Sequence, residues 1–225
     1  MADPVKPKRS YDSPRRREQA AATRLEILEA AQRLFERDGY PGTTMAAIAT
    51  EARVALKTVY VAFETKSGVL RALWNLRLRG GREDVPVLAQ ETYREVLEEP
   101  DPEHQLRLNA RNSRAGKGRV GTVAEVIRSA ALLDPDIEAL WDRINSEYHA
   151  NQGVIVASLN AKGALKPGLD AARANDILWV INHPSTWHML VTQRGWTPEE
   201  YEQWSADTAC SQLLAAGRVE PRAGP

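Results

Sequence analysis

A chain of 225 residues, 43% hydrophobic and 27% charged, has room for one large domain or a small one beside a medium one. Its single cysteine, Cys210, excludes an intrachain disulfide. No apolar run approaches the roughly 18 residues of a membrane span, and Met1–Arg17 lacks the apolar stretch of a secretory signal. The formal net charge of zero conceals an asymmetry: residues 1–82 hold 16 Lys and Arg against 9 Asp and Glu, and the remainder holds 14 against 21. Two readings stand, a DNA-facing basic end on an acidic body or a chance fluctuation along the chain.

Residues 1–19 read as a disordered basic arm, with three prolines and almost nothing to bury. A helix is predicted from near Ala20, because Ile27, Leu28, Ala31, Leu34 and Phe35 recur at three- and four-residue steps as one apolar stripe. Gly39 is the expected left-handed cap, followed by the connector Tyr40-Pro41-Gly42. Thr43 or Thr44 then offers an N-cap hydroxyl to a short helix near Met45–Ala52. After a turn at Arg53-Val54-Ala55, a second short helix is predicted over Leu56–Phe63, and a longer one runs from Lys66 to Arg79 until Gly80-Gly81 breaks it. Beyond lie helical patterns over 87–98, 102–115, 122–133, 135–161, 171–181, 184–194 and 198–215, with Gly116–Gly121 as a flexible connection and a frayed tail. The predicted fold is therefore all-α.

The stretch from Thr43 to Leu70 carries the functional signal. Two short helices meet at a tight turn and a third supports them, the layout of a helix-turn-helix whose second helix enters the major groove. In that second helix Val59 and Phe63 can face a core, which leaves Lys57, Thr58 and Tyr60 on the other side.

Ala30-Ala31, Leu34-Phe35, Gly39-Tyr40, Thr43-Thr44, Ile48-Ala49, Ala52-Arg53-Val54, Thr58-Val59-Tyr60, Phe63 and Lys66, in this order and spacing, resemble the Tet repressor (TetR) family of bacterial regulators. The resemblance covers about residues 21–81. It implies a DNA-binding domain over 20–82, with the helix-turn-helix at about 44–63, and a helical ligand-binding and dimerisation domain over 83–217, with a tail at 218–225. Further, it implies that Thr44 and Lys66 bind phosphates, that Lys57, Thr58 and Tyr60 touch phosphates or base edges, and that Ala55 and Leu56 touch thymine methyl groups. Arg53 replaces a frequent turn glycine, and is expected either to strain the turn or to reach a phosphate. Ala55 replaces a capping serine. Arg15, Arg16 and Arg17 are either an arm in the minor groove or a solvated basic tail.

The body is rich in tryptophan. Trp141, Tyr148, His149, Asn151, Trp179, Asn182, His183 and Trp187 interleave aromatic and polar groups as an inner pocket for a small-molecule effector would, and as ordinary core and dimer contacts would. The resemblance implies that the last two long helices pair with their twofold mates, with Leu178, Leu190, Cys210, Leu213 and Leu214 on the seam. A homodimer would hold two recognition helices about 34–36 Å apart and bind a near-palindromic operator in double-stranded DNA. The expected function is ligand-responsive repression in the bacterial cytoplasm, at the nucleoid, with no membrane partner. The alternatives are a helical small-molecule carrier, or an activator or ligand-independent regulator of the same fold. No cofactor or metal is expected, since His183 and His188 are poorly spaced as ligands. No acid, base and nucleophile converge, which argues against an enzyme.

Overall fold

The computed structural model describes residues 14–78, 80 and 90–215. Expectations for the arm up to residue 13, for Arg79 and Gly81, and for the tail from residue 216 lie outside the described residues. Among the described residues every regular element is helical, apart from one isolated antiparallel bridge between Leu165 and Leu214. No helix among them is long and apolar enough to cross a membrane, and no group of three or more His, Cys, Asp and Glu side chains could hold a metal ion. The chain forms two compact units, one up to Val69 and one from Leu70.

The first unit is built from α1 (Pro14–Gly42), α2 (Met45–Glu51) and α3 (Leu56–Phe63), and it includes the start of α4 (Lys66–Leu78). The stripe on α1 behaves as its spacing requires: Ile27, Leu28, Ala31, Leu34 and Phe35 are buried with Ile48, Ala49, Val59 and Phe63. Gly39 interrupts α1 at φ 69°, ψ 174°, a conformation that side-chain-bearing residues avoid. One boundary differs from expectation. The helix begins at Pro14, so Arg15, Arg16 and Arg17 are helical and exposed rather than part of an irregular arm. Proline suits a first helical turn, and the Arg, Gln and Ala residues that follow are good helix formers.

The second unit contains α5 (Glu91–Glu98), α6 (Pro102–Ala130), α7 (Pro135–Ala161), α8 (Ala171–Ile181), α9 (Pro184–Trp187), a π-helical segment (His188–Gln193) and α10 (Pro198–Leu213). Asp101, Asp134, Asp170 and Thr197 cap their helices by accepting backbone N–H groups, and Thr197 with Glu200 forms a reciprocal capping box. The helices pack chiefly as α6 on α10 and α7 on α8. Around Val96, Leu106, Ile155, Leu159, Leu178 and Leu213 they close a continuous apolar core.

The flexible connection expected at Gly116–Gly121 does not exist: α6 runs unbroken through it. Three glycines weaken a helix locally, but Lys117, Val120, Val123, Ala124 and Ile127 lie on its buried side, and packing outweighs propensity. Gly121 has a positive reason to be glycine, because a Cβ there would stand 3.1 Å from Nε1 of Trp187.

Candidate nucleic-acid interface and inner polar cluster

The helix-turn-helix is assembled by local chemistry. Thr44 caps α2, its Oγ1 accepting the Ala47 N–H at 3.0 Å, while Thr43 is buried and donates its hydroxyl to the Gly39 carbonyl at 2.8 Å. The turn to α3 passes through Arg53 at φ 55°, the left-handed backbone for which glycine is suited. Ala55 stands at the N-cap of α3 with no side-chain cap. Gly68, at the start of α4, cannot carry a side chain, because a Cβ would stand 2.2 Å from the Phe63 carbonyl oxygen.

Residue by residue, α3 divides cleanly. Val59 (0% exposed) and Phe63 (6%) face the core, and Thr58 is half-buried. Leu56, Lys57 and Tyr60 (49%) are exposed, as are Thr44, Arg53 and Ala55 around them. Lys66, for which a phosphate contact is expected, is half-buried at the start of α4. Its Nζ donates to the carbonyls of Tyr40 (2.7 Å) and Thr43 (3.0 Å) and lies 4.1 Å from the centre of the Tyr40 ring. It braces the connector between α1 and α2. Two features escaped the sequence reading. Arg24 on α1 donates to the Ala62 carbonyl at 2.7 Å and lies over the Phe63 ring at 4.2 Å, tying α1 to the end of α3. Val61, beside Tyr60, is 76% exposed.

In the second unit, several of the residues expected to form a pocket do come together. The Trp141 ring meets His183 edge-on (5.9 Å), His183 meets Trp179 (4.8 Å), and Trp179 meets His149 (5.9 Å). His183 accepts the Ser185 N–H at Nδ1 (3.1 Å), so its proton sits on Nε2, which donates to Asn145 Oδ1 (3.0 Å). Burial, and then the charge of Lys117, lowers the His183 pKa to about 4. Tyr148 donates its hydroxyl to the Asn182 carbonyl at 2.7 Å, and burial raises its pKa to about 12.

The centre of this cluster is a residue missed at the sequence level. Lys117 is buried on α6, donates to Ser113 Oγ and to Tyr148 Oη (3.3 Å), and faces the ring of Tyr201 at 5.2 Å. No carboxylate among the described residues offsets its burial, which lowers its pKa to about 7. The Asn182 amide donates to Gln152 Oε1 (3.3 Å), but its Oδ1 and the Nε1 of Trp179 are buried with no partner among the described residues. Not every expected residue joins the group. Trp187 packs on Tyr201 (5.0 Å) and approaches Gly121, and Asn151 supplies its backbone carbonyl to the Tyr93 hydroxyl (2.8 Å).

Residues 27–73 match the profile of bacterial regulatory proteins of the tetR family. The HTH-type transcriptional regulator TtgR of Pseudomonas putida is 31% identical over 166 residues, which span 71% of this chain and 76% of TtgR. The chain belongs to the TetR family. The fold agrees: SmeT, solved as a triclosan complex, superposes with a TM-score of 0.69 at 20% identity, over 91% of this chain and 97% of SmeT. NalD, the secondary repressor of the MexAB-OprM multidrug efflux pump in Pseudomonas aeruginosa, gives a TM-score of 0.64 at 20% identity, over 87% and 98%.

This TetR-family protein is thus a DNA-binding regulator of transcription, of a non-enzymatic family. Its expected twofold seam needs correction. Leu178 and Leu213 are each 0% exposed within the single chain, where they pack in the core of their own protomer, so neither can reach a partner. Cys210 and Leu214 are partly buried against that same core, and Leu190 lies half-buried in the π-helical segment. The exposed apolar side chains nearby are Val180 on α8 and Met189. The family resemblance put Leu178 and Leu213 on a seam between protomers, but it could not say whether they faced their own bundle or a second one.

Proposed function

We propose that the protein is a ligand-responsive repressor, which binds a near-palindromic operator as a homodimer and leaves it when a small molecule enters the helical body. The carrying observation is the division of α3: Val59 and Phe63 pin it while Lys57 and Tyr60 stand outside. In this reading a head of residues 20–82 docks α3 in the major groove. Lys57, Thr58 and Tyr60 contact base edges or phosphates, Ala55 and Leu56 meet thymine methyl groups, and Thr44 and Arg53 contact the flanking backbone. Arg15, Arg16 and Arg17 then extend the basic surface as a helix start, adding salt-dependent affinity.

The body, residues 83–217, is the sensor. The effector site we assign is the cluster of Trp141, Tyr148, Trp179, Asn182 and His183 with Lys117 at its centre. Trp141 and Trp179 suit an aromatic body, and a buried ammonium suits a negatively charged or strongly accepting group on it. NalD is a repressor and SmeT was solved with triclosan, which supports repression and small-molecule control here. The effector acts by favouring the conformer that binds DNA poorly, to the extent of its own preference between conformers. Val180 and Met189, with Leu190, take the place of Leu178 and Leu213 in the seam we assign.

The test is alanine substitution on the outer face. With a duplex selected by the wild-type protein, Lys57→Ala and Tyr60→Ala are expected to lose about tenfold or more in affinity each, the loss for a contact worth about 1.4 kcal/mol. Thermal melting should be unchanged. Full affinity in both variants would contradict the assigned face.

A further inference from the structure

Val61 has no task in holding the fold. It is 76% exposed on α3, and a β-branched residue on an exposed helical face slightly disfavours the helix. Its position is nonetheless pointed. It lies one helical turn after Lys57 and next to Tyr60, on the side of α3 away from Val59 and Phe63. Among the described residues of the first unit, the exposed large hydrophobic side chains are Leu56, Tyr60 and Val61, all on this eight-residue helix, and Leu25 elsewhere. The helix carries one formal charge, Lys57.

An isopropyl group in a major groove meets donors, acceptors and one kind of apolar group, the 5-methyl of thymine. Against a guanine, adenine or cytosine edge, Val61 would strip water from a polar atom and return no hydrogen bond. It therefore rewards one base and penalises the others. We infer that Val61 is a specificity-determining residue that reads a thymine methyl group in each half-site of the operator. The inference rests on the reading that α3 enters the major groove.

Deoxyuridine keeps every hydrogen-bonding group of thymine and lacks only the methyl. Each thymine of a duplex selected by the full-length wild-type protein is replaced in turn by deoxyuridine, and affinities are measured for the wild type and for Val61→Ala. At one thymine per half-site the wild type should lose about four-fold, the weight of one buried methyl group. The Val61→Ala protein should bind the unmodified duplex about that much more weakly and show no further loss at the same thymine. Penalties at other thymines, under Leu56 for example, should be the same in both proteins. Two results would overturn the inference: wild-type affinities that ignore every replacement, or identical penalties in wild type and Val61→Ala. Failure of the wild type to select any duplex is a different outcome, which would sink the major-groove reading itself. Since Val61 is exposed and alanine is the better helix former, melting of the variant should match or slightly exceed the wild type and confirm that it folds.

Discussion

Lys66 and Tyr40 are joined twice: the Lys66 ammonium donates to the Tyr40 carbonyl at 2.7 Å and lies 4.1 Å from the centre of the Tyr40 ring. With the bond to the Thr43 carbonyl, this fixes the connector that starts α2. Removing Lys66 should therefore act on stability. Hydrogen bonds from charged groups contribute about 1.5–3 kcal/mol, and Lys66→Met should destabilise the first unit by about 2 kcal/mol. Because the ammonium serves the connector, the salt dependence of DNA affinity should keep its slope in the variant. A slope reduced by about one would reassign Lys66 to a phosphate.

The turn before α3 holds two correctable weaknesses. Arg53 sits at φ 55°, and Arg53→Gly should relieve about 1 kcal/mol of backbone strain. Ala55 leaves α3 without a side-chain cap, and Ala55→Ser should add about 1 kcal/mol. Denaturant melts of both single variants check this. A destabilised Arg53→Gly protein would mean that the arginine side chain holds the turn in a way its backbone does not reveal.

Lys117 makes stability depend on pH with a definite sign. Its folded pKa is about 7 against about 10.4 unfolded, so between these values the unfolded chain binds more protons and stability rises with pH. His183, at about 4 folded against about 6.5 unfolded, has the same sign in a lower window. Lys117→Met removes the upper window. Relative to the wild type the variant should be most favoured below pH 7, and that advantage should shrink steadily toward pH 10. A difference in melting temperature constant across pH 7–10 would show that Lys117 does not titrate there.

The unbroken α6 makes a contrast among its glycines. Beyond its own stretch of helix, a Cβ on Gly116 or Gly118 would meet no atom of the described residues within 4 Å, whereas at Gly121 it would stand 3.1 Å from Trp187 Nε1. Gly116→Ala and Gly118→Ala should each stabilise by about 0.5–1 kcal/mol. Gly121→Ala should gain nothing, or lose stability, as Trp187 is pushed aside. Equal gains at all three positions would contradict the close packing of α6 on Trp187.

What was legible in the sequence was local. The stripe through Ile27, Leu34 and Phe35, the break at Gly39 and the four-residue step from Val59 to Phe63 each encode a helix face or a turn within one or two elements. The caps Asp134 and Thr197 were equally plain, since a short side chain before a proline-led helix has few other uses. What stayed hidden depends on partners distant in sequence. Gly116–Gly121 looks like a hinge until Trp187 and Tyr201 pack against α6. Lys117 looks like a surface lysine, and Leu178 and Leu213 look free for a partner, until the bundle closes over them. For Arg15–Arg17, composition overruled propensity and hid the true start of α1.

The central claim, that the outward face of α3 reads DNA, is tested most directly by selection from random duplex DNA with the purified full-length protein at moderate salt. The account predicts enrichment of a near-palindrome whose half-sites are centred about one helical turn or somewhat more apart. Recovery of duplexes with no shared sequence would contradict it.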